Sequence, residues 1–231
     1  MKPMQMTATK RRPQTDSRAL RGEATRELIL DTAERMFCDN GTEGVSMRQI
    51  ALAVGQGNNS AIQYYFESKE GLVRAIIERR AAQFVPIRQK MLDAVIAEGK
   101  TDDVKSLLAV LHLPIASIKD AKGRHVYAGF MLNALRTMWD AQASILHKAW
   151  TAKGPVRDTM RLLAERRPEL SGTQLSMRVL RLNRMFVSAM IDTDRVQQLG
   201  GKMDDETYIL EDLLNMLAAA FMAPLPEMSE P

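Results

Sequence analysis

Apolar residues recur at helical spacing along almost the whole chain, and nowhere do they alternate with polar ones in the two-residue rhythm of a strand bounded by turn pairs. From Thr25 to Asn40 the repeat passes through Leu28 or Ile29, Thr32 or Ala33, Met36 and Phe37, and Gly41 supplies the stop. Ser46 with Gln49 three residues later is a capping-box signature, so a second helix starts there and carries Met47, Ile50, Ala51 and Val54. Gly55 and Gly57 break it, and Asn58 or Asn59 can cap a third, short helix that runs to about Tyr65. After Ser68 a longer helix places Leu72, Ala75 and Ile76 on one side, with Glu78, Arg79 and Arg80 outward. Pro86 falls inside its continuation toward Ala97, where it should kink the helix or open a new one. Beyond Gly99 the pattern predicts helices alone, over about 102–112, 114–120, 123–149, 155–166, 172–195 and 204–222. The expectation is an all-α chain.

The last two helices carry long apolar stripes. Leu175, Val179, Leu182, Met185 or Phe186 and Ala189 form one; Leu210, Leu213 or Leu214, Leu217 and Phe221 form the other, broadened by Ala218 to Ala220. Such stripes either pack on the chain's own core or serve as a dimer face. Residues 1–20 hold two prolines, several basic side chains and no periodicity, and read as a flexible basic arm.

Composition narrows the class. The 231 residues are 45% hydrophobic and 26% charged, as in a globular chain without membrane spans. A net charge of +4 tilts weakly toward an anionic partner, and its distribution says more: Lys2, Lys10, Arg11, Arg12, Arg18, Arg21 and Arg26 face only Asp16 and Glu23. A solubilising tail would look the same. The single cysteine, Cys38, excludes an intrachain disulfide and suits a reducing compartment. No signal-peptide pattern and no run of 18 apolar residues occur, so the expected location is cytoplasmic with no membrane partner. His112, His125 and His147 lack metal-ligand spacing, and neither a Gly-rich phosphate loop nor a G-x-S-x-G elbow is present. Catalysis, a bound metal and a cofactor are therefore not expected.

The stretch from Val45 to Lys69 is the most informative. Two short helices are joined by a Gly-containing turn, and the second carries polar and aromatic side chains where a buried helix would carry Leu or Val. A helix-turn-helix lays one helix across the DNA backbone and sets the next in the major groove. Ser46 and the free amides after it can bind a phosphate, and Arg48 can reach a phosphate or a guanine edge. Asn58, Asn59, Ser60 and Gln63 offer groups suited to base edges. Tyr64 and Tyr65 suit phosphate, sugar or a thymine methyl, and Lys69 suits a phosphate. Ile62 and Phe66, interleaved with them, read as core.

Residues 25–80 resemble the N-terminal DNA-binding domain of the TetR/AcrR family of bacterial transcriptional regulators. The resemblance lies in TRELILDTAERMFCDNG, GVSMRQIALAVG, the aromatic pair of IQYYF, and SKEGL, in that order. It implies a three-helix DNA-binding domain at 21–70 and a larger helical domain at 71–224 that binds an effector and dimerises. It also implies DNA roles for Ser46, Arg48, Asn59, Ser60, Gln63, Tyr64, Tyr65 and Lys69. The chain departs from the family in a turn one residue longer between Gly55 and Ile62, and in Gln63 where Tyr is usual. The resemblance fades after about residue 85, although Pro168 to Ser171 is similar to one branch of the family. The partners so implied are double-stranded operator DNA, a second copy of the chain and a small-molecule effector, with repression the usual mode.

Candidate dimer residues are Leu175, Val179, Leu182, Phe186, Leu210, Leu213, Leu217 and Phe221. Candidate effector-pocket residues, between about 100 and 166, are His112, Tyr127, Phe130, Met131, Met138, Trp139, Trp150 and Met160. The 16 methionines suit an adaptable cavity for an apolar or aromatic effector, though each is as well placed to fill core. A helical adaptor, or a ligand-sensing dimer without specific DNA binding, is the alternative.

Overall fold

The structure, a computed structural model, describes residues 14–55, 60–137, 153–202 and 204–226. Every regular element among them is a helix, so the all-α expectation is met. The elements are α1 (Gln14–Asn40), α2 (Met47–Ala53), α3 (Ser60–Phe66), α4 (Lys69–Ala97), α5 (Val104–Ala116), α6 (Val126–Thr137), α7 (Pro155–Arg166), α8 (Gly172–Gln198) and α9 (Glu206–Met222). Among the described residues no helix is long and apolar enough to cross a membrane.

Side-chain caps set most of the starts. Ser46 and Gln49 close a reciprocal capping box on α2, and Ser171 with Gln174 closes another on α8. Ser68 Oγ accepts from the Gly71 amide at the head of α4, while Asp103 and Asp205 cap α5 and α9. Pro155, which has no amide hydrogen to leave unbonded, occupies the first turn of α7.

Three expectations are corrected here. Helix α1 begins at Gln14 rather than near Thr25, so the last residues of the expected arm are helical. Pro86 does not start a new helix, since α4 runs through it from Lys69 to Ala97. Pro86 and Ala82, whose carbonyl loses its helical donor, are both exposed, so that carbonyl lies on a solvent face. Pro114 likewise lies within the last turn of α5, where little helix remains to disrupt, and the two helices expected over 102–120 are one.

Helix α1 packs on α2 and α4 and also lies against α6; α6 in turn packs on α8. Helix α9 rests on α5 and α8, and α4 on α5 and α7. The buried side chains form one contiguous cluster from Ile29 to Phe221. Where α1 meets α6, the Phe37 and Phe130 rings lie 6.2 Å apart, and Asn133 Nδ2 donates to the carbonyls of Phe37 (2.9 Å) and Cys38 (3.2 Å). Gly129 lets the helices approach: a Cβ there would stand 2.4 Å from Cys38 Sγ. Burial pushes the Cys38 thiol up to about 11, so it stays protonated and packs as a small apolar group.

Candidate nucleic-acid interface and enclosed cavity

The head of the molecule is built from α1, α2 and α3. Ile50 and Ala51 anchor α2, and Ile62 and Phe66 anchor α3; all four are buried, as read from the sequence. Anchoring those positions turns the others outward. Ser60, Gln63 and Tyr64, at positions i, i+3 and i+4, share one exposed face of α3, and Tyr64 is 82% exposed. Such exposure of a large ring next to uncharged polar groups suits a contact surface rather than packing. Tyr65 is half-buried, edge-on to Tyr64 with ring centroids 5.1 Å apart, and its hydroxyl lies beside Gly22 of α1. Arg48 is exposed on α2.

Two predicted residues have additional roles. Ser46 Oγ accepts from the Gln49 amide at 3.2 Å and donates to Gln49 Oε1 at 2.8 Å, so its hydroxyl serves the α2 cap. Lys69 Nζ donates to the Thr42 carbonyl at 2.9 Å and ties the start of α4 to the loop between α1 and α2. Asn58 and Asn59 lie outside the described residues.

The turn from α3 to α4 is tight. Glu67 adopts φ 62°, the left-handed conformation that ends a helix in one residue. Gly71 permits the reversal, because a Cβ on it would lie 2.1 Å from the Phe66 carbonyl oxygen. The S-K-E-G-L motif thus fixes the angle at which α3 leaves the body.

Residues 29–76 match the family model described as bacterial regulatory proteins, tetR family. Those residues form a TetR-type head. A curated relative, the HTH-type transcriptional repressor AcnR of Corynebacterium diphtheriae, is 31% identical over 84 residues. That match spans 36% of this chain and 40% of the relative. Among solved structures, one from Shewanella sp. PV-4 assigned to the tetR family superposes with a TM-score of 0.52 at 17% identity, covering 85% of this chain and 97% of that one. Another, from Mesorhizobium loti MAFF303099, gives 0.46 at 17% identity over 87% and 96%.

The TetR-type head is not itself basic. Residues 21–70 hold five Lys or Arg against eight Asp or Glu. Part of that excess is neutralised at the joint with the body. Glu34, 1% exposed, is bound by Arg79 at 2.8 Å and Arg80 at 2.6 Å, and Arg79 also holds Asp31 at 2.7 Å and Glu27 at 3.0 Å. Residues 1–20 carry five basic side chains against Asp16 alone, so within residues 1–70 the net positive charge lies at the N-terminus.

The body of the chain holds a partly open cavity of about 110 Å³ between α4, α5, α6, α7 and α8. Of the candidates, His112, Tyr127 and Met131 line it. Phe130 stands behind the wall, 5.9 Å from the Tyr127 ring, and Met160 is buried in α7 without reaching the lining. Met138, Trp139 and Trp150 lie outside the described residues. The sequence window of 100–166 omitted two walls: Ile77, Phe84 and Arg88 on α4, and Val179, Leu180 and Asn183 on α8. A usable signal was present, since Ile77, Ala81, Phe84 and Arg88 keep the helical spacing of one face, and a charge ends an otherwise apolar row.

The polar groups of the cavity are unusual. His112 Nδ1 lies 2.8 Å from the Leu108 carbonyl, which can only accept, so Nδ1 carries the proton. Burial pushes this imidazole down to about 4, leaving it neutral. Burial pushes the Tyr127 phenol up. Arg88 is half-buried as a whole, yet its Nε is enclosed and has no hydrogen-bond partner. Its Nη2 donates to the Leu111 carbonyl at 2.8 Å, and its guanidinium lies over the Phe84 ring at 5.1 Å. Burial draws the guanidinium down to about 10, still protonated at neutral pH.

The expected dimer residues are placed differently. Leu175, Val179, Leu182, Phe186, Leu213, Leu217 and Phe221 are buried in the chain's own core, and Leu210 is half-buried. The outward face of the same two helices forms a groove that includes Met185, Ala189, Tyr208, Ile209 and Met216, with Tyr208 64% and Met216 50% exposed. Helices α8 and α9 are wide enough in apolar residues to serve both sides.

Proposed function

We propose that this chain is a cytoplasmic, sequence-specific DNA-binding regulator, acting as a repressor, whose operator affinity changes when a small molecule occupies the cavity. The observation that carries the reading is the α3 face: Ser60, Gln63 and Tyr64 point outward from a helix held by Ile62 and Phe66, beside Arg48 of α2. On this reading Gln63 and Arg48 contact base edges, while Tyr64, Tyr65 and Lys69 hold phosphates. Lys69 would use the ammonium protons left over from its bond to Thr42. The DNA-binding head comprises residues 21–70 and the body 71–224. Repression is favoured by the likeness of the head to a repressor's.

Two copies would pair through the outward groove of α8 and α9, giving two heads on one face of a duplex. Coupling has a physical route. Phe84 and Tyr127 at the cavity lie 5.6 Å apart, Tyr127 and Phe130 5.9 Å, and Phe130 and Phe37 of α1 6.2 Å. A ligand that moves Tyr127 presses on the helix that carries the head, and a ligand binding one head spacing better shifts the population toward it.

Selection from random duplexes tests the reading. A palindrome is expected, with half-site centres about 10 base pairs apart or a small multiple of that. Gln63→Ala should relax the preference at one position by about 1–3 kcal/mol. Enrichment of no sequence would overturn the proposal in favour of a helical adaptor.

A further inference from the structure

Arg88 poses a question that packing does not answer. A guanidinium offers five N–H donors. Among the described residues this one donates to a single backbone carbonyl, and no carboxylate lies within ion-pair distance. Burying an unpaired charge is unfavourable even after relaxation. Replacement by Met or Leu would remove that cost, so an Arg at this position is better explained by a partner for its charge than by packing. The remaining walls are apolar apart from Tyr127, Asn183 and a neutral His112. Arg88 is therefore the one full charge among the described lining residues.

We infer that the cavity binds a small organic monocarboxylate, its apolar body among Ile77, Leu111, Met131 and Val179 and its carboxylate on Arg88. The inference rests on the cavity being the effector site. One cation matches one negative charge; a phosphate monoester would bring a second with nothing to meet it. Guanidinium and carboxylate are both planar and pair through parallel N–H···O bonds, and Nη1, which is not sealed off as Nε is and donates to no described residue, is the group left to make them. Size sets the rest. A cavity of about 110 Å³ is somewhat smaller than the roughly 150 Å³ that admits benzene, which points to short acids of about three to five carbons. The bound anion would also hold Phe84 and Arg88 against Tyr127, the first step of the aromatic row leading to α1.

Titration calorimetry on the full chain without DNA tests this, with propanoate, butanoate and pentanoate, each beside its primary alcohol. At least one acid should bind, and its alcohol should bind at least about tenfold more weakly, because a charge-assisted hydrogen bond is lost. Arg88→Gln should abolish the preference for the acid while the circular-dichroism melt remains cooperative. Should Arg88→Gln fail to fold, Arg88→Lys keeps the charge and should retain the preference at reduced affinity. Binding of no acid, equal binding of acid and alcohol, or an unchanged preference in Arg88→Gln would overturn the inference. Operator selection needs no ligand and this titration needs no DNA, so either reading can fail while the other stands.

Discussion

His112 shows how far a single side chain's chemistry depends on where the fold puts it. Its imidazole takes a proton at about 6.5 when free and only near 4 when enclosed. Between those values the unfolded chain binds more protons than the folded one, so stability falls as the pH drops. The slope approaches 1.4 kcal/mol per pH unit, about the free energy of one pKa unit. Urea titrations at about pH 7, 6 and 5 should show it, and in His112→Leu the dependence should flatten. An identical dependence in the variant would remove His112 as the source. Residues whose role depends on near neighbours were legible in the sequence: the Ser46–Gln49 box, buried Ile62 and Phe66, and exposed Gln63 all follow from spacing. Arg88 and Glu34 were not, since their environments come from helices far along the chain. Periodicity places Arg88 at the end of an apolar row and Glu34 on α1, but only tertiary packing leaves the first without a carboxylate among the described residues and gives the second two arginines.

At the scale of elements, the helices were legible because caps and breakers are local. Prolines misled where they lay on a solvent face or in a final turn, settings that sequence does not reveal before the packing is known. The N-terminal element carries its own test. Residues 1–12 hold Lys2, Lys10, Arg11 and Arg12 and no acid, while the head beyond residue 20 is net acidic. Removing residues 1–12 should weaken binding to specific and random duplexes alike. The slope of log K against log salt should become shallower by up to about 3 to 4, at roughly 0.9 per phosphate contact. An unchanged slope in fluorescence-anisotropy titrations would mean that the arm touches no phosphate, and that Arg48, Lys69 and helix amides carry the electrostatics.

At the scale of the whole molecule, the stripes on α8 and α9 have two candidate uses, the chain's own core or a dimer face. Most of the expected dimer residues seal the core, while the opposite face, with Tyr208 and Met216, stays exposed and is the one proposed to pair. Periodicity locates an apolar stripe, but it cannot say which of two adjacent rows turns inward when both are apolar. Met216→Glu should shift the chain from dimer to monomer in light scattering while leaving its melting temperature nearly unchanged. A wild type that stays monomeric at all concentrations would sink the pairing.

Helix α1 belongs to both halves of the molecule. Its Phe37 and Cys38 are fitted to Gly129, Phe130 and Asn133 of α6, and its Glu34 is neutralised by two arginines of α4. This limits how the chain can be recombined. A graft that moved residues 21–70 onto a different body would carry an exposed Phe37 and an unmatched Glu34 to a surface not shaped for them. The transferable piece is the head together with the facing strip of α6 and the first turns of α4, and specificity can be exchanged within the family only where that seam is kept.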